Sequence, residues 1–347
     1  MKINISIVFS LFMVLISSCK NEIPFDIKEN PPKLVMNAFI NADSLTNYLY
    51  LNFTGHGSPG HVKDASLEIR VNGELREKLR PMDKKETNHL SQCMFKLSGT
   101  FLPGDLVRID ARTDDGMHHA WVEVGVPKPM PQIREVETMN VALRHHGRIE
   151  NCLRYKITLN DIPNERNFYR LIVDKRTEWV SWFENRNDWQ WGNEGSKQKR
   201  SIITSIYHDY SYIFREDIVL TDGRPQSDAE EENGMFDNVS NVYGVFDDSR
   251  FENSSYVMTV YNDPKPQAYN GINNKLSCKV DAVIRVLSIT ETEYYYLRAL
   301  NIVDSDAFDE VLNEAINYPS NVQGGTGIVS ISTETHKTIR LFEENYD

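Results

Sequence analysis

Four of the five tryptophans in the 347-residue chain, Trp179, Trp182, Trp189 and Trp191, fall in one short stretch. They are interleaved there with Glu178, Glu184, Arg186, Asn187 and Asp188. Flat apolar rings set among hydrogen-bonding groups suit the face of a sugar or a hot spot for a protein partner. Trp179, Trp182, Trp189, Trp191 and Arg186 are therefore the candidate ligand-binding residues. A hairpin turning at Asn185-Arg186-Asn187 would hold them away from the sheet. The competing reading is that Trp189 and Trp191, at the two-residue period of a strand, fill a core.

Other reactive side chains are dispersed. His118-His119 and His145-His146 are adjacent pairs, and neighbours on a strand point to opposite faces, so neither pair chelates one metal. His56 and His61 sit in a Gly-Pro loop with no carboxylate or cysteine at ligand spacing. The acidic insertion at 220–235, with Asp228 and Glu230-Glu231-Glu232, lacks the alternating Asp/Asn positions and the glycine of a calcium loop, and reads as solvated. No zinc helix, nucleophile elbow, phosphate loop or dinucleotide fingerprint is found. A carboxylate pair for glycoside cleavage would converge only in the fold and leaves no linear mark. No catalytic residue, metal ligand set or cofactor is assigned, and the expectation is a protein that is not an enzyme.

The amino terminus carries a different kind of chemistry. Lys2 precedes an apolar run from Ile3 to Ile16, and Ser17-Ser18 lead to Cys19. The run is too short to cross a bilayer, which takes roughly 20 apolar residues, and reads as an export signal over residues 1–18. An aliphatic residue, two small ones and a cysteine resemble the lipobox of bacterial lipoproteins, in which the thiol and the new amino terminus are both acylated. Cys19 is the expected lipid attachment site, because two or more acyl chains hold a protein stably on a membrane. Residues 19–32 then read as an acylated, extended tether. Acylation of Cys19 leaves Cys93, Cys152 and Cys278, an odd number that allows at most one disulfide; all three read as buried small hydrophobes.

Charge narrows the partners. Against 38 Lys and Arg stand 50 Asp and Glu, a net charge of −12, and nucleic acids or anionic membrane faces are bound by clustered cations instead.

The elements that would position these residues are mostly strands. Leu34 to Ile40, Tyr48 to Phe53, Leu67 to Val71, Met94 to Leu97, Leu106 to Ala111 and Ala120 to Val126 are short strand signals joined without helices. Asn72-Gly73 supplies the two positive-φ positions of a tight hairpin. This pattern predicts an immunoglobulin-like β-sandwich over residues 33–126, with Trp121 as a core anchor. Pro127, Pro129 and Pro131 mark a linker at 127–131. A larger β-sandwich or barrel-like domain is expected over 132–347, from strand signals at Leu153 to Leu159, Phe168 to Val173, Ile202 to Phe214, Tyr256 to Tyr261, Asp281 to Ile289 and Thr326 to Ser332. A short helical pair near 290–317 interrupts it. Thr290 and Glu293 have capping-box spacing ahead of Tyr296, Leu300 and Val303, and Asp306 would cap a second stripe ending at Pro319.

Five stretches, taken together, resemble one known family: the lipobox, Pro32 to Asn37, Gly244-Val245-Phe246-Asp247-Asp248-Ser249-Arg250-Phe251, Tyr294-Tyr295-Tyr296-Leu297, and Pro319 to Ile328. The chain is similar over nearly its whole mature length to the Bacteroidota lipoproteins called domain of unknown function 4249. Members are typically encoded beside TonB-dependent outer-membrane receptors. The resemblance therefore implies a lipid-anchored outer-membrane protein, facing outward, that works as an accessory or lid-like partner of such a receptor in nutrient uptake. It brings no catalytic residues. A stand-alone surface carbohydrate-binding lipoprotein is the alternative, and a hydrolase the further one.

Overall fold

Period-two alternation of apolar and polar residues dominates the described structure, a computed structural model covering residues 31–55, 58–83, 93–145, 148–184, 200–211, 216–223, 241–269, 274–304 and 318–346. The protein is mainly β. Its strands are β1 (Leu34–Asn41), β2 (Thr46–Phe53), β3 (Ala65–Val71), β4 (Glu74–Leu79), β5 (Cys93–Ser98), β6 (Leu106–Thr113), β7 (His119–Gly125), β8 (Glu135–His145), β9 (Arg148–Asn160), β10 (Phe168–Glu184), β11 (Arg200–Asp209), β12 (Val245–Asp247), β13 (Ser255–Asn262), β14 (Asn274–Ile289) and β15 (Val329–Asn345). Among the described residues there is one α-helix, α1 (Glu291–Val303).

In the amino-terminal region, alternation puts Leu34, Met36, Ala38 and Ile40 of β1 inward, facing Leu67 and Ile69 of β3 and Val107, Ile109 and Ala111 of β6 across one core. Each of the larger side chains among them contributes about 1.5–3 kcal/mol by leaving water. The layers are β5-β2-β1 on one side and β4-β3-β6-β7 on the other. The hairpin at Asn72-Gly73 forms as its sequence predicts, with φ of 53° and 86°, and joins β3 to β4. Trp121 departs from expectation. It lies on the outer face of β7, half-buried, with the Arg108 guanidinium 4.1 Å over its ring; the inward positions of β7 belong to Ala120, Val122 and Val124.

Two carboxy-terminal segments complete this region. Residues 321–328 link the two layers along one edge: Gln323 exchanges backbone hydrogen bonds with Trp121 of β7, and Thr326 bridges Leu34 and Met36 of β1. Space dictates the sequence here. A Cβ on Gly324 would meet the His119 carbonyl at 2.3 Å, and one on Gly325 the Leu34 carbonyl at 2.3 Å, so only glycine fits. Next, β15 runs parallel to β1 from Ala38↔Val329 to Asn41↔Ser332, and Val329 and Ile331 enter the same core as Leu34.

Beyond Ser332, β15 leaves β1 and pairs antiparallel with β14 as far as Asn345. The resulting sheet has the order β11-β10-β14-β15-β1-β2-β5, with β12 added to β10. Its face packs on the sheet β13-β9-β8 around Tyr155, Ile157, Leu159, Tyr169, Leu171, Val173, Met258, Val260 and Ile284. The sequence suggested a last strand of only seven residues. The rest of β15 is polar on both faces: His336, Thr338 and Arg340 are exposed on one, while Thr333, Thr335 and Lys337 on the other hold the proline segment. Thr333 and Thr335 donate to the carbonyls of Pro127 and Met130, and Lys337 to that of Arg134. Met130 and Ile133 are buried.

Helix α1 begins as predicted, with Thr290 accepting from the Glu293 backbone N–H at 3.3 Å. Its buried face is Glu293, Tyr294, Leu297 and Asn301, and Tyr296 and Leu300 are half-buried. Two polar residues in the buried stripe hid it from a hydrophobicity reading. The second expected helix, Asp306 to Pro319, lies outside the described residues except for Tyr318 and Pro319.

Candidate binding surface

The strands place the predicted aromatic residues differently from one another. Trp179 and Trp182 are on β10, paired across the sheet with Ser205 and Ile202 of β11. Trp179 points into the interior, 6% exposed, and its indole Nε1 donates to the Gln267 carbonyl at 3.2 Å. Trp182 is half-buried. Trp189, Trp191 and Arg186 lie outside the described residues, as does most of the acidic insertion. Of the described part of that insertion, Asp222 accepts from the Arg298 guanidinium at 3.2 Å.

The three cysteines are free and buried, and each belongs to a different cluster of core residues. Burial pushes the Cys93 thiol up to about 11, where it stays protonated and unreactive. His119 bonds Asp110 at 3.0 Å and His118 packs edge-on against Phe53, so the pair diverges as adjacent strand residues must. Among the described residues no set of three His, Cys, Asp or Glu is gathered for a metal.

A more open set of rings collects where α1 meets the sheet. Inward-facing Met36, Ala38 and Ile40 force Phe39 outward, and it is 50% exposed. On the same outer face β2 presents Tyr48, 39% exposed, and Tyr50, with Lys96 of β5 opposite Tyr48. Helix α1 sits beside them because of an unusual anchor. The Glu293 carboxyl is buried and hydrogen-bonded by the Ser330 hydroxyl of β15. That hydroxyl in turn lies 2.9 Å from Thr290 Oγ1. Burial raises the Glu293 carboxyl above its ordinary value, as expected where ionisation would leave an uncompensated charge in a low-dielectric site.

This anchor brings Tyr296 to 6.0 Å from Phe39, and Tyr296 is in turn 5.7 Å from Tyr318, itself 40% exposed. The C-terminal end of α1 is fixed by a second network. Asn301 accepts from the Tyr243 backbone N–H and donates to Asn241, while the Tyr243 hydroxyl donates to Asp304 at 2.6 Å. That bond and burial push the Tyr243 phenol up to about 12. Phe39, Tyr48, Tyr296 and Tyr318 thus form an aromatic surface on a rigid sheet and a doubly anchored helix. It can stack on a flat apolar face and donate or accept through phenolic hydroxyls.

Sequence reasoning missed this surface because its residues are spread from position 39 to position 318. One signal was available: Phe39 falls on the outward parity of a strand whose inward positions are already filled by Met36, Ala38 and Ile40.

The fold and this surface define a mainly β protein that presents half-exposed aromatic rings at a helix–sheet junction. The chain belongs to the family described as domain of unknown function (DUF4249), whose model matches residues 20–338. No curated protein matches it. Contacts link several of the stretches that carry the family resemblance. Val245 packs with Tyr294 and Leu297, Ile328 donates to Asn37, and Tyr318, next to Pro319, touches Tyr296.

Proposed function

We propose that this protein is a lipid-anchored outer-membrane protein that works by binding, as the accessory or lid-like partner of a TonB-dependent receptor in nutrient uptake. The observation that carries the binding reading is the aromatic surface of Phe39, Tyr48, Tyr296 and Tyr318. Half-exposed rings with hydroxyls, held by a scaffold that loses little entropy on association, have the composition of protein hot spots. The anchor reading rests on Cys19 and the segment before it, and the receptor reading on the family resemblance. Acylation would hold the protein close to a membrane-embedded partner at high effective concentration, so that weak contacts suffice.

A second reading is favoured by the same rings, since flat aromatic faces beside hydroxyls also stack on sugars; under it the protein is a surface carbohydrate binder. Both readings are tested by solubilising the natively acylated protein in mild detergent, capturing it and identifying its companions by mass spectrometry, with Cys19→Ala as control. Recovery of a TonB-dependent receptor with the acylated protein supports the accessory role. Recovery of the protein alone, together with retention on immobilised glycans, replaces that role with the second reading.

A further inference from the structure

The interior tryptophan of β10 belongs to an unusual cluster. Trp179 lies 5.2 Å from Tyr269 and 6.4 Å from Tyr346, ring centre to ring centre, over a floor of Cys278 and Val280. The Lys275 ammonium sits among the three rings, 4.8 Å from the Trp179 centre, 5.5 Å from Tyr269 and 5.7 Å from Tyr346. Lys275 itself is exposed, and its described contacts are with these rings. A cation held by π faces without a carboxylate partner is how proteins recognise ammonium groups too alkylated to donate ordinary hydrogen bonds.

The backbone is shaped for this arrangement. Along β10 and β14 the pairing runs regularly from Phe168↔Ile289 to Val180↔Ser277, then slips by one residue so that Ser181 faces Lys275. The extra residue, Leu276, is a β-bulge. Trp179 and Ser181 share the inner face, so in unbroken register Lys275 would project from the opposite side of the sheet. The bulge turns it onto the ring side, which is what bulges beside binding sites do. The walls are pinned independently of the lysine. Trp179 donates to the Gln267 carbonyl at 3.2 Å, the Gln267 N–H donates to Thr177 at 3.2 Å, and the Tyr346 N–H donates to the Leu276 carbonyl at 2.6 Å.

We propose that Trp179, Tyr269 and Tyr346 form a cage for an alkylammonium group, filled in the unliganded protein by Lys275 and open to a quaternary ammonium ligand when that side chain swings out. The surface at Phe39 and Tyr296 shares no residue with this cage, so the inference is independent of the receptor partnership.

The test titrates the full chain with tetramethylammonium chloride, against sodium chloride at equal ionic strength, and follows tryptophan fluorescence. Emptying the cage with Lys275→Ala is expected to give saturable binding about tenfold tighter than in the unaltered protein. Removing one wall with Tyr269→Ala in that background should weaken it again. A Lys275→Ala protein with native circular dichroism and no saturable response overturns the proposal, and so does a response that Tyr269→Ala leaves unchanged. If Lys275→Ala does not fold, the readout moves to the unaltered chain after reductive 13C-methylation. There the Lys275 methyl signal should lie upfield of the other lysines, shifted by the ring currents, and move towards them as tetramethylammonium is added. A Lys275 signal among those of the other lysines, insensitive to the ligand, overturns the proposal.

Discussion

Two aromatic clusters of this protein invite comparison. Around Trp179 the rings lie close to the β10–β14 pairing, are fixed by hydrogen bonds to carbonyls, and enclose a cation supplied by the chain itself. Around Phe39 the rings come from β1, β2, α1 and the segment before β15, and their faces stay open to solvent. The difference follows from strand parity. Trp179 occupies an inward position of β10, whereas Phe39 occupies an outward position of β1 whose inward neighbours already fill the core. Density of aromatic residues along a sequence therefore says less about a binding surface than the face each residue takes.

The largest expected effect is that of Trp179→Ala, which removes a buried ring and should cost about 3–5 kcal/mol in urea unfolding; a cost below 1 kcal/mol would mean that the ring is not part of the interior. Next comes Gly325→Ala, whose added methyl would collide with the Leu34 carbonyl. It should destabilise by more than about 1 kcal/mol, and native-state hydrogen exchange should locate the loosening at β1 and β7.

Glu293→Gln bears on the helix that carries Tyr296. The Glu293 carboxyl is raised above 4.5 in the folded protein by burial, so the folded state retains a proton that the unfolded state gives up. Its contribution is complete below pH 4.5 and falls as pH rises towards the folded value. The variant keeps an acceptor for Ser330 and has nothing to ionise, so its stability relative to the parent should grow from pH 4 to pH 7. A constant difference across that range would place the carboxyl in water. The smallest effect is expected from Phe39→Ala, within about 0.5 kcal/mol as for an exposed position; a larger loss would make Phe39 a packing residue and close the comparison.

Much of the fold was legible. Alternation identified most strands, Asn72-Gly73 its hairpin, and Thr290 with Glu293 the start of α1. What escaped the sequence was long-range. The second half of β15 is polar because its threonines and lysine bond to carbonyls some 200 positions earlier in the chain, at Pro127, Met130 and Arg134. The buried face of α1 was displaced because Glu293 and Asn301 are satisfied by Ser330 and Tyr243, partners that no local pattern announces. Trp121 misled for a related reason, since its bulk suggested a core while Arg108 offers its ring a face on the surface. For the candidate site, Trp179 and Trp182 could be named from composition, but the open surface at Phe39, Tyr48, Tyr296 and Tyr318 required the strands to be assembled first.

The central claim is that this open surface meets a partner. Its most direct test places a photo-crosslinking phenylalanine analogue at position 39 of the full chain produced in its native cells, and another at position 149, where Ile149 is 76% exposed on β9. An adduct with a TonB-dependent receptor is expected from position 39 and none from position 149. Equal adducts from both positions, or a receptor adduct from position 149 alone, would contradict it.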